Sequence, residues 1–355
     1  MKLEYTIFGE SHGSAIGVVV ENLPSGIPID EAFISREMNR RRAKGDGLST
    51  PRIEEDIPQI LSGVFEGKTT GTPLCAVIQN GNTHSADYHR TKDLVRPSHA
   101  DFTGFVRYNG CNDYRGGGHF SGRLTAPLVF AGAVAKLALR EKGIAVGAHI
   151  LQVGDEKDTS FSPETLNENS FETLAEKDFT VLDDKAGERM KQLIQEARLN
   201  LTSVGGIIQC AVIGLPCGIG SPDKDNLEGI IARNIFRVPA VKGIEFGLGF
   251  QFASAYGHNV NDEMGLENGK VVTKTNHNGG ILGGISNGMP IVFQTVIKPT
   301  ASISREQNTV NLANMQEEKL TIEGRHDPCI LSRASVVVES AAALSVMEVL
   351  SESAG

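Results

Sequence analysis

Serine, histidine, arginine and carboxylate side chains gather in separated, glycine-rich stretches of this chain. The first is Gly9-Glu10-Ser11-His12-Gly13. The second runs from Arg96-Pro97-Ser98-His99 to Arg115-Gly116-Gly117-Gly118-His119-Phe120-Ser121-Gly122-Arg123. Toward the C-terminus come Lys298-Pro299-Thr300-Ala301-Ser302 and Glu323-Gly324-Arg325-His326-Asp327-Pro328-Cys329. Histidine is the natural acid or base near neutral pH, with a reference pKa of about 6.5. The planar arginine fork holds carboxylate or phosphate oxygens through paired hydrogen bonds. Glycine removes the Cβ obstacle and lets backbone approach a ligand. The combination suits a closed site for a strongly anionic substrate. Each group taken alone has a structural alternative, since dispersed arginines commonly make surface ion pairs worth about 0–1 kcal/mol.

Several chemistries are missing. No GxGxxG follows a strand, and no GxxxxGK[ST] loop, HExxH or paired-cysteine zinc spacing occurs. His326, Asp327 and Cys329 have only generic spacing, so no metal is expected. Ser11 and His12 are adjacent, and adjacent residues on an extended strand face opposite ways. A serine-hydrolase pair within the pentapeptide is therefore disfavoured.

Bulk composition narrows the class further. The 355 residues are 40% hydrophobic and 22% charged, an ordinary globular balance able to bury a core. A formal charge of −9 argues against nucleic acid as the main partner, because phosphate-backbone binding needs a broad basic surface. The five cysteines form no CxxC pair and do not read as a secreted disulfide scaffold. No apolar signal stretch opens the chain and no run approaches 18 uncharged apolar residues. A cytoplasmic protein without membrane association is the expectation.

The elements that must position these groups are mixed. Ile16–Val20 and Pro73–Ile78 read as strands, and a helix capped by Asp30 carries Phe33, Ile34, Glu37 and Met38 on one face. Residues 80–122 are polar and irregular, which in a compact protein usually marks function or mobility. Leu128–Arg140 reads as a buried helix, with Gly143 as its C-terminal stop. The charged stretch 155–185 is expected to be a peripheral insertion in a single domain spanning 1–355. Ala186–Leu199 follows as an amphipathic helix, then Gly206–Ile213 as a strand. Asp225 with Glu228 reads as a capping box for a helix through Phe236. Val292–Ile297 is a strand and Ala334–Leu350 a long apolar helix. This order lacks the strand–helix spacing of a doubly wound sheet.

Taken together, Gly9–Gly13, Arg96–Asp101, Tyr114–Arg123 and Gly324–Cys329, with Leu61–Pro73, closely resemble the chorismate synthase family over essentially the whole chain. The resemblance implies an α/β (α+β) fold: a β-α-β sandwich in which antiparallel sheets enclose a helical layer. It implies conversion of 5-enolpyruvylshikimate 3-phosphate to chorismate and phosphate. This is an anti 1,4-elimination with loss of the C6 pro-R hydrogen, dependent on reduced FMN but redox-neutral overall. It also implies a homotetramer.

Residue by residue, His12 matches the histidine near the substrate phosphate. His99 matches the one near the flavin pyrimidine edge, and Asp327 the acid near flavin N5. Ser11 and Ser121 match hydroxyls that support proton relay. Arg40, Arg96, Arg123 and Arg325 resemble substrate-anion clamps. His119, Phe120, Ser121, Gly283, Lys298, Ser302 and Arg325 fall on the cofactor side. Where the family commonly has Arg-Ser-Ser-Ala-Arg, this chain has His119-Phe120-Ser121-Gly122-Arg123, so its flavin contacts differ there. Some family members reduce flavin with NADPH and others rely on an external flavin reductase; the residues leave both open. Another flavin-dependent phosphate lyase, or an anion-binding protein without turnover, would share the same constellation.

Overall fold

Alternating burial along the second strand puts Ile16, Val18 and Val20 into the core, and Leu74, Ala76 and Ile78 do the same on its neighbour. The computed structural model describes residues 2–45, 47–50, 54–81, 92–322 and 327–353. The first sheet is antiparallel, with order β1 (Glu4–Gly9), β2 (Ala15–Glu21), β6 (Leu74–Gln79), β3 (Gln59–Ser62). A short hairpin, β4 (Val64–Phe65) and β5 (Lys68–Thr69), separates β3 from β6 in the chain.

The second antiparallel sheet has order β10 (Val241–Phe246), β15 (Ile291–Ile297), β9 (Gly206–Ile213), β7 (Ala145–Val153), β8 (Glu156–Lys157). Both β7 and β9 are buried almost continuously, as strands covered on both faces must be. Three further hairpins decorate the chain: β11 (Met264–Glu267) with β12 (Lys270–Thr273), β13 (Ile281–Leu282) with β14 (Ile285–Ser286), and β16 (Gln307–Asn311) with β17 (Gln316–Leu320).

Between the sheets lie α1 (Glu31–Arg41), α3 (Thr125–Arg140), α6 (Leu227–Ile235) and α8 (Leu331–Ser353). Helix α3 packs against the first sheet and α8 against β7 and β9 of the second, while α3 and α8 pack on each other. This is the expected β-α-β sandwich. Every residue of α3 from Thr125 to Leu139 is buried, which an apolar helix with partners on all sides requires. Gly132 permits the α3–α8 crossing, because a Cβ there would sit 2.2 Å from Ser340 Cβ. The buried Ser340 and Ser345 hydroxyls donate to Val336 O and Ala341 O one turn back, each at 2.7 Å. Both apolar helices are long enough to cross a membrane, but 89% of each such window is buried inside the protein. They are core.

A buried tetrad of charges fixes the helical layer. Arg40 donates to Glu339 Oε1 at 2.6 Å and to Glu37 Oε2 at 3.1 Å, and Lys136 meets Glu37 at 2.6 Å and also Glu339. Ala148 N–H from β7 adds a bond to Glu339. Burial would raise the Glu37 carboxyl, but Lys136 and Arg40 outweigh it and hold it at about 2. The expected substrate role of Arg40 is corrected here. Its guanidinium is turned into the helical layer against Glu339 and Glu37 and is not part of the lining of the cleft described below.

Outside the sandwich, α4 (Glu168–Glu176) packs on β7, and α5 (Asp184–Leu199) on β7 and β8. The segment 155–185, expected as a peripheral insertion, contributes buried Phe171, Leu174, Phe179 and Val181. Asp30 caps α1 by accepting from Phe33 N–H at 2.9 Å. At α6 the cap is Asn226, accepting from Gly229 N–H at 2.5 Å, rather than the Asp225–Glu228 pair. The helix begins one residue later than the capping-box pattern suggests. Helices α2 (Asp101–Arg107) and α7 (Gly257–Val260) complete the set.

Candidate active site

The turn joining β1 to β2 carries Ser11 and His12, and the end of β6 holds it in place. Asn80 Nδ2 donates to Glu10 O at 3.0 Å and to Gly13 O at 2.9 Å. Ser11 N–H reaches Gly118 O at 3.1 Å, so the turn is stitched to the triglycine segment a hundred residues away. Gly116, Gly117 and Gly118 all have positive φ (59°, 86° and 52°), a conformation that only glycine adopts repeatedly without strain. Close approach demands glycine as well. A Cβ on Gly116 would lie 2.2 Å from His12 Cε1, and one on Gly117 would lie 3.0 Å from His99 Cε1. The two histidines, 87 positions apart in sequence, therefore rest on consecutive glycines.

His99 is oriented by its own motif. Its Nδ1 lies 2.6 Å from Asp101 Oδ1, while Arg96 grips the same carboxylate with Nε and Nη2, each at 2.7 Å. Burial would raise the Asp101 carboxyl, but hydrogen bonds from Arg96 and His99 drive it far below the usual carboxylate range. Asp101 thus accepts from His99 Nδ1–H, leaving Nε2 toward Gly117. Ser98, at the centre of the motif, holds φ +61°, a strained conformation for a residue with a side chain.

A second acidic pivot organises the cations. Asp56, buried and with φ +49°, meets Arg41 at 2.6 Å and also Arg123. Arg123 further contacts Glu54 at 2.6 Å and Asn80 Oδ1 at 3.0 Å. Arg41 donates to Thr125 Oγ1 and Gly122 O, each at 3.0 Å. Burial, reinforced by the nearby Arg333 and Arg123 charges and opposed by Asp56, brings Arg41 down to about 10. Asp56 stays below the ordinary carboxylate range because Arg41 and Arg123 outweigh its burial. Asp327 accepts from Thr50 N–H at 2.8 Å and pairs with Arg333 at 2.6 Å.

These groups border a cleft of about 970 Å³ whose lining includes Arg96, His99, His119, Phe120, Ser121, Arg123, Lys298, Ser302 and Asp327. That volume is at the upper end for small-molecule sites, enough for two ligands side by side. Ser11 and His12 approach through Gly116, which lines the cleft. Ser11 Oγ is buried with no hydrogen-bond partner among the described residues, a polar atom that a ligand would satisfy. Phe120 turns toward α2: a Cβ on Gly104 would sit 2.6 Å from its ring. His119 Nδ1 lies 2.9 Å from Gly9 O. Lys298 donates to Ser98 O.

One expected position lies away from the cleft and another outside the described residues. Gly283 is exposed at the tip of the β13–β14 hairpin, outside the cleft lining, and a Cβ there would meet nothing within 4 Å. Arg325, with His326, lies outside the described residues. Sequence reasoning gave no role to Arg41, Asp56, Asn80, Asp101 or Arg333. The Arg40–Arg42 run was visible, and Glu37 three residues before Arg40 was the available sign that Arg40 is consumed by an ion pair. Asp101 lies two residues after His99 in a quoted motif, spacing that could have flagged it.

The chorismate synthase family model matches residues 3–350. The chain is 44% identical to chorismate synthase of Methanobrevibacter smithii over 340 residues, 96% of this chain and 92% of that protein. It is 44% identical to that of Thermococcus kodakarensis over 346 residues, 98% and 95% of the two chains. A crystal structure of chorismate synthase superposes with a TM-score of 0.76 at 28% identity, covering 100% of this chain and 93% of the other.

Proposed function

Because the chain belongs to the chorismate synthase family, we propose that its cleft performs that family's elimination with reduced FMN beside the substrate. The enzyme is a lyase converting 5-enolpyruvylshikimate 3-phosphate to chorismate and phosphate. The observation that carries the site assignment is the seating of His12 and His99 on Gly116 and Gly117, at a cleft large enough for substrate and flavin together.

The residues fit the cofactor. Lys298, Thr300 and Ser302 offer a cation and hydroxyls, and Phe120, Ser121 and His119 offer an apolar face and polar edges. Bound reduced FMN would supply the electron density that no side chain here can provide. The protein's own groups do the rest. His12 meets the departing phosphate as an acid, and the orphaned Ser11 Oγ donates beside it. Arg96 and Arg123, fixed by Asp101 and by Asp56, hold substrate anions in preset directions; Arg325 joins them by family likeness. His99, aligned by Asp101, steadies charge at the cofactor edge. Asp327, which lines the cleft as Ser121 does, takes up the proton lost from C6.

Exposed Phe250, Tyr256, Leu266 and Val271 are large apolar side chains of the kind that assembly into a homotetramer, as in the family, would cover. Five free cysteines support a reducing, cytoplasmic setting. An anaerobic assay with photoreduced FMN tests the reading. Phosphate and chorismate should appear together in equal amounts; folded protein that releases neither would remove it.

A further inference from the structure

Glu10 to Gly13 form a closed four-residue turn, in which Gly13 N–H donates to Glu10 O at 3.0 Å. Ser11 and His12 are its two central residues, and both are buried. The aim of both side chains therefore follows the shape of this turn.

One side chain grips the turn at both ends. Asn80 Nδ2 donates to Glu10 O at 3.0 Å and to Gly13 O at 2.9 Å, which uses both hydrogens of the amide. At the other end of the same amide, Oδ1 accepts from Arg123 Nε at 3.0 Å. These partners fix which atom is nitrogen and which is oxygen, since carbonyls only accept and a guanidinium only donates. The strand ladder sets the height of the amide. Ala15 pairs with Gln79 at the end of β2 and β6, and Asn80 N–H continues the pairing to Ser14 O at 3.0 Å.

Contact with a ligand does not explain this residue. Asn80 is not part of the cleft lining, yet both groups it joins serve the cleft: Arg123 lines it, and His12 rests on Gly116, which lines it too. Strand pairing needs only the Asn80 backbone, so the side chain is left for another task.

We propose that Asn80 is a positioning residue for the elimination, setting the acid His12 and the anion clamp Arg123 in one frame. This rests on the functional reading above and deepens it. The amide closes the turn on which His12 stands and, through Oδ1, orients the guanidinium that faces the substrate. Aspartate in its place would keep the acceptor and lose the donors; leucine would have neither.

Asn80→Asp separates the two attachments. The carboxylate still accepts from Arg123 but sets an oxygen against Glu10 O and Gly13 O. Anaerobic turnover with reduced FMN should show kcat lowered roughly 10²-fold, the cost of about 1 Å of misplacement, with KM for the enolpyruvyl phosphate within about threefold of wild type. Asn80→Leu frees Arg123 as well, and KM should then rise roughly tenfold. Because Asn80 acts through His12, adding Asn80→Asp to His12→Ala should slow turnover no further than His12→Ala alone. Losses that multiply, or wild-type kcat in Asn80→Asp, would overturn the proposal.

A readout independent of turnover accompanies the kinetics. With isotope-labelled histidine, the His12 Cε1–H resonance, assigned by its loss in His12→Ala, should move in Asn80→Asp and Asn80→Leu. The resonance of His149, buried on β7, should stay, and either variant suffices if the other does not fold. An unmoved His12 resonance refutes the proposal even where the rate falls. If the wild type yields no chorismate, the functional reading fails, and this resonance alone decides whether Asn80 sets His12.

Discussion

Replacing Gly116 with alanine separates the site from the fold. The new Cβ would lie 2.2 Å from His12 Cε1, 2.3 Å from His12 Nδ1 and 3.1 Å from Ser11 Oγ. Contacts that short do not occur, so the imidazole must move by roughly 1 Å or more, a displacement that can lower a rate about 10²-fold. The backbone also carries φ +59° there, and a left-handed residue with a side chain costs about 1–2 kcal/mol. For 355 residues, the unfolding entropy of about 2.1 cal/mol/K per residue turns that into a Tm decrease of only ~1–3 °C. Anaerobic turnover with the enolpyruvyl phosphate, measured beside a calorimetric scan, should therefore show a large rate loss in a nearly unperturbed protein. Gly265→Ala, outside the cleft lining and with a Cβ no nearer than 4.0 Å to Val272 Cγ2, should be silent in both. Wild-type turnover by Gly116→Ala would refute the seating of His12 on this glycine as a catalytic requirement.

Other consequences follow from the same geometry. Asp101→Asn removes the acceptor that aligns His99 and the anchor of Arg96, and single-turnover rates should fall roughly 10²–10⁴-fold while the fold is kept. Asp56→Asn leaves buried Arg41 and Arg123 without their shared countercharge. A loss of about 3–5 kcal/mol, or ~4–7 °C in Tm, is expected by thermal denaturation. Acid stability should reflect Glu37. Its folded pKa is depressed to about 2, so its contribution is intact above the unfolded value near ~4.5 and disappears as pH falls toward 2. Urea melts between those pH values should show progressive loss, and Glu37→Gln should flatten that part of the profile.

Much of the sandwich was legible because burial imposes period. The apolar runs at Leu74–Gln79, Gly206–Ile213 and Leu331–Ser353 announce their structure, since strands alternate or run apolar and a long apolar helix needs partners all round. Strand β7, Ala145–Val153, was not anticipated. Its sequence contains Gly147 and His149, and a buried histidine looks polar until one sees Asp158 and Gln209, each 3.0 Å from its ring nitrogens.

The site divides along the same line. His12, His99, Ser121, Arg123 and Asp327 could be singled out because motif residues stand out from glycine, and the structure gathers them at one cleft. Which arginines of the 40–42 run face the cleft could not be read: Arg41 and Arg42 line it and Arg40 does not. Only the positions of Glu339 and Asp56 decide it. Arg237, which also lines the cleft, carries no motif at all, and its hydrogen-bond partner Tyr5 O lies 232 residues earlier.

The account stands on one arrangement: remote motifs meeting around a flavin and a phosphate-bearing ring. A crystal structure of the protein with FMN and 5-enolpyruvylshikimate 3-phosphate tests it most directly. The account predicts the substrate phosphate beside His12 and Ser11, with the flavin ring bounded by His99, Ser302 and Asp327. Ligands bound outside the cleft that Gly116 and Arg123 border would contradict it.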